Sequence, residues 1–396
     1  MNLRYCLALS VISLLMSLAC GDAAPEKAVD QPVGQSESLD SQTSDTASVT
    51  SETSDSEVSA GLFEYTGALT IERTSPAAVV LKDGRVFIVG GRGKGQGRYA
   101  GIHASSEIYD PSTGVWTDSG EMAEVREEPT ATLLADGRVL VIGGRDTLKE
   151  LSGDPELFDP STNTWTQAAE LIDPRESHGA VLLDDGKVLV VGGKSSMLRQ
   201  LSSSELYNPD ENSWSEAGES TEARINHTVT LLSDGRVLSV GGGKDDGPYL
   251  KSAEIYDPST NTWTPVPEMS VSRALHSATL LKDGRVLVVG GKGKKTSAEI
   301  YDPESNSWTS AGDTTDPRAE HIAILLSDGR VLVAGGIGVI SSSDIYDPDS
   351  NLWSTAAEMG ESRYRFIAVP ISGGRILIAG GLSSNRATAS SEIFTP

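Results

Sequence analysis

Seven copies of one sequence pattern constrain the fold of this chain more than any other feature. Each copy opens on a stretch such as "DGRVLVVGG", and successive openings lie 45 to 53 residues apart. The openings begin at Asp83, Asp136, Asp185, Asp234, Asp283, Asp328 and Gly373. Units repeated at this period pack side by side within one body, so we expect one repetitive structure and not several unrelated domains.

A full copy contains four short segments with the composition of β-strands. The copy that includes Asp283 reads "HSATLL", "RVLVVGG", "SAEIYDP" and "NSWTSAG", which are rich in Val, Ile, Tyr and Trp and bounded by turn residues. Asp-Gly between the first two segments favours a tight hairpin, and runs such as "DPSTN" between the last two favour a turn. The unit is therefore predicted to be a four-stranded antiparallel meander.

A meander with two apolar faces cannot bury both of them alone. Copies packed side by side in a ring bury both faces, which is the arrangement of a β-propeller. The Gly-Gly pair after each second strand predicts a close approach of neighbouring backbones. The six tryptophans share one repeat position, where we expect wedges between blades: Trp116, Trp165, Trp214, Trp263, Trp308 and Trp353.

Gly-Gly after an apolar strand, then Tyr-Asp-Pro, then Trp at fixed spacing resembles the kelch repeat. The resemblance covers residues 61–396 and implies an all-β, seven-bladed kelch-type propeller. The last copy ends at "SSEIFTP" without its fourth strand. Phe63 and Arg73 keep the ten-residue spacing of Trp116 and Arg126, so the N-terminal strand is predicted to complete the last blade and close the ring.

The first 60 residues are predicted to lie outside the propeller. Residues 1–19 begin with "MNLRY", which carries one arginine, and continue as the apolar run "CLALSVISLLMSLA", which is too short to span a bilayer. This arrangement is typical of a secretory signal peptide. The sequence "MSLAC" resembles the lipobox of bacterial lipoproteins, although Ser17 stands where Leu is usual. The resemblance implies a lipid on Cys20, and with Gly21 it favours the outer membrane, periplasmic or surface-exposed. An ordinary signal peptide with a chance cysteine is the alternative.

Charge and composition limit the partners of the chain. Residues 20–60 hold nine acidic residues and one lysine, which predicts a solvated tether. The formal net charge of -24 argues against nucleic acid as a ligand. Loss of Cys6 with the signal would leave only the lipidated cysteine. We expect a monomer that reaches the membrane only through its lipid anchor and binds an unknown protein or glycan.

Positions repeated in every blade favour scaffold, whereas functional residues are expected where blades differ. An acid on the third strand and an arginine before the first strand recur seven times, so bracing contacts between them are one interpretation. The kelch resemblance implies instead that the arginine-bearing loops line a central mouth that binds ligands. The repeated candidates for binding are Arg126, Arg175, Arg224, Arg273, Arg318 and Arg363.

Further candidates come from positions that are not repeated. The seven loops between second and third strands carry 13 basic and 5 acidic residues in an otherwise acidic protein, and they share a face with the arginine-bearing loops. Acidic stretches such as "GEMAEVREEP" lie on the same face, so its charge is mixed. The non-repeated binding candidates are Arg98, Tyr99, Arg199, Tyr364 and Arg365.

Four histidines follow the repeated arginine by three residues. Metal ligands must converge on one ion, whereas equivalent positions on successive blades are spread around a ring. Packing is therefore the expected role, and neither a metal nor another cofactor is predicted. The four are His178, His227, His276 and His321.

Two classes of function remain open from the sequence. A rigid ring on a lipid anchor favours a module that binds a protein or a glycan. Kelch propellers also occur in carbohydrate-active enzymes, so an epimerase or lyase is the alternative. A copper-radical oxidase is disfavoured because it needs a cysteine crosslinked to tyrosine. Glu127, Glu128 and Tyr364 are too ordinary to assign as catalytic, and we expect binding and not catalysis.

Overall fold

The computed structural model describes residues 60–94, 101–146, 151, 154–195, 199–244, 247–293 and 295–396. The predictions of a signal, a lipidated Cys20 and a tether lie outside the described residues, as do Arg98 and Tyr99. Among the residues described, no helix has the length and apolar character needed to cross a bilayer.

The chain folds into seven four-stranded antiparallel sheets, the blades, as the repeat predicts. The innermost strands are β2 Ala77–Val80, β6 Thr130–Leu133, β10 Gly179–Leu182, β14 Thr228–Leu231, β18 Ser277–Leu280, β22 Ile322–Leu325 and β26 Ile367–Ile371. The second strands are β3 Val86–Val89, β7 Val139–Ile142, β11 Val188–Val191, β15 Val237–Val240, β19 Val286–Val289, β23 Val331–Ala334 and β27 Arg375–Ala379.

Two further strands complete each blade. The third strands are β4 Ser105–Asp110, β8 Glu156–Asp159, β12 Ser204–Asn208, β16 Ala253–Asp257, β20 Ser297–Asp302, β24 Ser343–Asp347 and β30 Ser391–Thr395. The outermost strands are β5 Val115–Glu121, β9 Thr164–Gln167, β13 Ser213–Ala217, β17 Thr262–Val266, β21 Ser307–Asp313, β25 Leu352–Thr355 and β1 Leu62–Tyr65. Blade 7 also holds a 3-10 turn and a two-residue hairpin, Ser372–Gly374, β28 Leu382–Ser383 and β29 Arg386–Ala387.

The N-terminal strand closes the ring, as predicted. Strand β1 pairs antiparallel with β30, from Leu62 opposite Thr395 to Tyr65 opposite Glu392. Each innermost strand contacts the next, and β26 contacts β2. Because the two ends of the chain share blade 7, opening the ring requires the loss of a full strand pairing.

The second strands are buried on both faces, which explains why they consist almost entirely of apolar residues. Leu238 and Val240 of blade 4 pack with Val286 of blade 5, whereas Val237 faces blade 3 and packs with Leu189. The tryptophans sit between blades as predicted. Trp263 is 9% exposed, and its indole donates to the Ser204 hydroxyl of the preceding blade at 3.2 Å.

The Gly-Gly pair is required where adjacent loops meet. Gly90 and Gly91 have φ angles of 67° and 85°, in the left-handed region. A Cβ atom on Gly90 would lie 2.6 Å from the Arg126 carbonyl oxygen, and one on Gly91 would lie 2.7 Å from that of Thr74. The close backbone approach predicted from the sequence is therefore present at this position.

Candidate binding site at the central mouth

The repeated arginines form buried clamps that join the loop before each blade to that blade's third strand. In blade 4, Arg224 Nη1 donates to the carbonyls of Gly241 and Ser252 at 2.9 and 3.0 Å. Its Nη2 donates to Glu254 Oε1 at 2.8 Å. Glu254 Oε2 in turn accepts from the Thr221 backbone N–H at 2.8 Å. The carboxylate thus holds the loop at two points.

The clamp recurs in all seven blades, and every arginine in it is at most 1% exposed. Burial lowers the pKa of Arg175 and Arg273, and their partners Glu205 and Glu299 oppose that shift. This placement favours bracing over ligand contact, because the guanidinium groups point into the blades. That these arginines bind a ligand stays a prediction, and their side chains are buried in this structure. They are Arg126, Arg175, Arg224, Arg273, Arg318 and Arg363.

The four predicted packing histidines are buried between adjacent blades, each at most 9% exposed. Burial, reinforced by the neighbouring clamp arginine, lowers the pKa of each to about 3, so the imidazoles are neutral at physiological pH. Three of them make a hydrogen bond through Nε2 to a hydroxyl of the preceding blade. The pairs are His178–Thr130, His276–Thr228 and His321–Ser277, at 2.9, 3.0 and 2.8 Å.

His227 differs from the other three because neither ring nitrogen has a hydrogen-bond partner. The equivalent of Thr130 in the preceding blade is Gly179, which has no hydroxyl. A Cβ on Gly179 would lie 2.2 Å from Cγ2 of Val229. In the blades that follow Thr130, Thr228 and Ser277, the position equivalent to Val229 carries the smaller alanine. The larger Val229 therefore requires the glycine, and the glycine removes the partner of His227.

A ring of backbone hydrogen bonds joins the loops that carry the clamp arginines. The residue two positions after each clamp arginine is left-handed, with φ between 53° and 59°. In this ring Leu275 N–H donates to the Asn226 carbonyl at 3.0 Å, and Glu320 N–H donates to the Leu275 carbonyl at 3.0 Å. Six of the seven junctions are closed in this way. The ring residues are Ser75, Glu128, Ser177, Asn226, Leu275, Glu320 and Arg365.

This ring opens into a cavity of about 510 Å³, which we call the central mouth. It combines ring residues with residues that follow the clamp arginine or the Gly-Gly pair. These positions differ in chemistry from blade to blade, in contrast to the clamps below. The lining residues are Glu128, Arg145, Glu176, Ser177, Lys194, Ile225, Asn226, Leu275, Lys292, Glu320, Ile337, Tyr364, Arg365 and Leu382.

One side of the central mouth is held by ion pairs around Arg365. Arg365 Nε and Nη2 donate to the two carboxylate oxygens of Glu320, both at 2.7 Å, and Nη1 lies 3.2 Å from Glu128 Oε1. The hydrogen bonds with Glu320 raise the pKa of Arg365 above its usual value. A bidentate pair of this kind fixes both side chains in one orientation.

A second group of ion pairs centres on Arg145. Its Nε donates to Glu127 at 3.1 Å, and its Nη atoms lie 3.8 Å from Glu128 and from Glu176. Burial alone would lower the pKa of Arg145, but the three carboxylates outweigh it and raise the pKa. Glu128 links the two groups, which together place two guanidinium groups among four carboxylates.

The non-repeated candidates separate into three groups. Tyr364 and Arg365 line the central mouth, and the Tyr364 hydroxyl donates to Asn385 Oδ1 at 3.0 Å. Arg199 is not among the lining residues; its side chain is 68% exposed and lies 3.7 Å from Asp173. Sequence reasoning did not assign Ser177, Asn226 or Glu320 to the site. Their shared offset of two residues from the clamp arginine was the available signal.

The comparison with family models agrees with this architecture. A model of the KLHDC2/KLHL20/DRC7 kelch-repeats domain matches residues 34–219 and 199–381. The chain belongs to the kelch-repeat family. Among curated proteins, none matches the sequence of this kelch propeller.

A solved structure similar to this kelch propeller is described as a novel fungal alcohol oxidase with catalytic diversity among the AA5 family, in complex with copper. The TM-score is 0.69 with 17% sequence identity, and the match covers 85% of this chain and 76% of that chain. At this identity the similarity establishes the shared fold alone.

The central mouth of this kelch propeller does not fit a copper centre. In the described part of the chain, no three His, Cys, Asp or Glu side chains are grouped closely enough to hold a metal ion. The mouth lining includes no imidazole and no thiol, and the carboxylates of Glu128 and Glu320 are engaged by Arg365. Copper favours nitrogen and sulfur ligands, which this lining does not provide.

Proposed function

We propose that this protein is a membrane-anchored extracytoplasmic binding module whose central mouth takes a protein or glycan ligand. The observation that supports this proposal is the position of the residues that differ between blades. Clamps, histidines and glycine pairs repeat around the ring and are buried, whereas the positions that line the central mouth differ in chemistry from blade to blade and include the non-repeated Tyr364 and Arg365. Positions that hold the scaffold are repeated, so this convergence of dissimilar side chains supports recognition at the mouth.

The membrane anchor in this proposal rests on the predicted lipid at Cys20. The described chain begins at Ala60, whose carbonyl accepts from Ala357 N–H at 2.8 Å, and it enters β1 opposite the C-terminal end of β30. That end of blade 7 corresponds to the turns between third and fourth strands in the other blades. Those turns, and with them the start of β1, lie on the face opposite the central mouth.

A glycan array with residues 57–396 tests the proposal, because this stretch forms one compact unit. The matched mouth variants use residues that the chain itself places at equivalent positions. Arg365→Ser copies Ser75 and Ser177, and Tyr364→Ala copies the alanine that follows Arg273. Both variants should fold, because the same backbone position carries these residues in other blades.

The expected result is a defined set of bound saccharides whose signal falls in both mouth variants. Arg236→Ala is the control, because Arg236 pairs with Asp234 in a turn on the opposite face. Equal binding by the parent and both mouth variants would move the site away from the mouth. Chemical turnover of a bound saccharide would favour the alternative of a carbohydrate-active enzyme on the same propeller.

A further inference from the structure

The loops that lead into blades 2 and 3 meet at a junction that lacks the ring hydrogen bond. At the six other junctions, the N–H of one ring residue donates to the carbonyl of the preceding ring residue. Between the described residues of this junction, the Ser177 N–H makes no such bond to the Glu128 carbonyl. The ring around the central mouth is therefore interrupted at one place, and we call this contact between Glu128 and Ser177 the loose junction.

The loose junction also lacks a second backbone hydrogen bond that the other blades share. At the six other junctions, the second glycine of the Gly-Gly pair donates to the carbonyl of the next clamp arginine. Gly193 N–H, for example, donates to the Arg224 carbonyl at 2.8 Å. In the part of the chain that the structure describes, Gly144 N–H makes no equivalent bond to the Arg175 carbonyl. Two separate sets of repeated bonds thus single out the same junction.

The guanidinium group of Arg145 connects the two sides of the loose junction. Arg145 belongs to blade 2, and its Nε donates to Glu127 Oε2 at 3.1 Å. Its Nη2 lies 3.8 Å from Glu128 on one side of the junction. Its Nη1 lies 3.8 Å from the carboxylate of Glu176, the residue before Ser177, on the other side. Where the repeated backbone bonds are missing, the two loops are therefore joined by side-chain charges.

Below the loose junction, blades 2 and 3 are packed together as the other blades are. His178 of blade 3 forms a hydrogen bond with Thr130 of blade 2 at 2.9 Å. Leu140 of blade 2 and Val188 of blade 3 belong to the same buried cluster. The missing bonds are thus confined to the loops at the mouth, so a movement of these loops need not disturb the core of the propeller.

We propose that the central mouth opens at the loose junction and that Arg145 is the latch that holds it closed. This inference concerns the motion of the mouth and does not depend on which ligand the mouth takes. Backbone segments with fewer hydrogen bonds open more readily than their surroundings. The side chains of Arg145 and Glu128 are 32% and 25% exposed, so dissolved ions weaken their attraction. Glu128 and Ser177 both line the central mouth, so their separation enlarges the cavity.

Two variants test the latch with residues that other blades carry directly after the Gly-Gly pair. Arg145→Leu copies Leu382 and removes the charge, whereas Arg145→Lys copies Lys194 and keeps the charge without the forked guanidinium group. Arg138→Ala is the control, because Arg138 pairs with Asp136 in a turn of the same blade on the opposite face. Thermal denaturation of each variant checks that the fold is retained.

Hydrogen exchange of residues 57–396 without ligand, measured by mass spectrometry, compares low salt with about 1 M sodium chloride, at which the Debye length is about 3 Å. Residues 125–130 and 174–179 report on the loose junction, and residues 273–278 and 318–323 report on a closed one. In the parent, salt should accelerate exchange at the loose junction by about two- to fivefold and leave the closed junction unchanged. Arg145→Leu should show the faster exchange already at low salt, Arg145→Lys an intermediate rate, and Arg138→Ala the rates of the parent.

Two results would overturn the inference. Equal acceleration by salt at both junctions, or acceleration at neither, would show that the loose junction opens no more readily than the others. An Arg145→Leu variant whose exchange at the loose junction matches that of the parent would show that Arg145 is not the latch. Because no ligand is present in this measurement, either result leaves the proposed binding function to be decided separately by the glycan array.

Discussion

We expect the buried imidazole of His227 to make the folded protein less stable at acidic pH. Burial lowers its pKa from 6.5 to about 3, so folding excludes a proton that the unfolded chain takes up. Stability is therefore complete above about pH 6.5 and falls as the pH drops towards 3. At about pH 4.5 the loss is about 3 kcal/mol for one such histidine. Four of them lose on the order of 10 kcal/mol, which is comparable to the whole stability of a typical protein.

His227→Phe isolates one quarter of this effect. Phe366 occupies the equivalent position in blade 7, and because His227 has no hydrogen-bond partner the replacement leaves no group unpaired. In urea unfolding of residues 57–396, the free energy of unfolding should fall less steeply in the variant than in the parent as the pH is lowered. The two slopes should differ by about 1.4 kcal/mol per pH unit below about pH 6. The variant should be about 3 kcal/mol more stable relative to the parent at pH 4.5 than at pH 7.5.

The matched control is His321→Phe, which should change the pH slope equally. Its free energy of unfolding should also be about 1 kcal/mol lower at every pH, because the hydrogen bond between His321 and Ser277 is lost. Identical pH slopes for the parent and His227→Phe would refute the assignment of His227 as a buried neutral imidazole.

Three further predictions concern the clamps, the closure of the ring and the missing hydrogen-bond partner of His227. Arg224→Ala should lower the free energy of unfolding by about 3 to 5 kcal/mol because Glu254 stays buried without its cation, whereas Arg236→Ala in an exposed pair should cost less than about 1 kcal/mol; urea unfolding compares them. Deleting residues 57–66 should destabilise the protein and increase proteolysis at β30, which loses its partner β1; an unchanged digestion pattern would contradict closure. Gly179→Ser alone should destabilise, and adding Val229→Ala should restore stability by relieving the clash and giving His227 a hydroxyl partner; thermal denaturation of both decides.

The sequence was sufficient for the scaffold because each repeat tests the others. Six tryptophans at one position predicted wedges between blades, and Trp263 occupies such a wedge. The spacing of Phe63 and Arg73 predicted the pairing of β1 with β30 for the same reason. A repeated position must serve a repeated contact, so its role can be inferred without coordinates.

Whether a repeated side chain is buried or exposed could not be inferred from the repeats. Alignment of the copies shows that Arg126 and Arg224 are equivalent, but not whether they face the mouth or the blade interior. Fully buried arginines are uncommon, so composition favours exposure. The clamp overrides that tendency because each guanidinium group has a buried carboxylate and backbone carbonyls as partners.

The mouth was only partly predictable because local preference does not determine its backbone. Leu275 and Glu128 are left-handed, which non-glycine residues seldom adopt. Backbone hydrogen bonds between neighbouring loops accompany this conformation, so a single repeat considered alone does not reveal it. Tyr364 and Arg365 were found because they depart from the repeat, whereas Ser177 and Asn226 resemble ordinary loop residues.

Hydrogen exchange measured by mass spectrometry tests most directly whether the central mouth is the binding site. Residues 57–396 would be compared with and without the saccharide that binds most strongly on the array. The account predicts slower exchange in the loops at residues 127–129, 176–178, 225–227 and 363–366, and unchanged exchange in the turn at residues 234–236 on the opposite face. Protection confined to the turns of the opposite face, with none in the mouth loops, would contradict it.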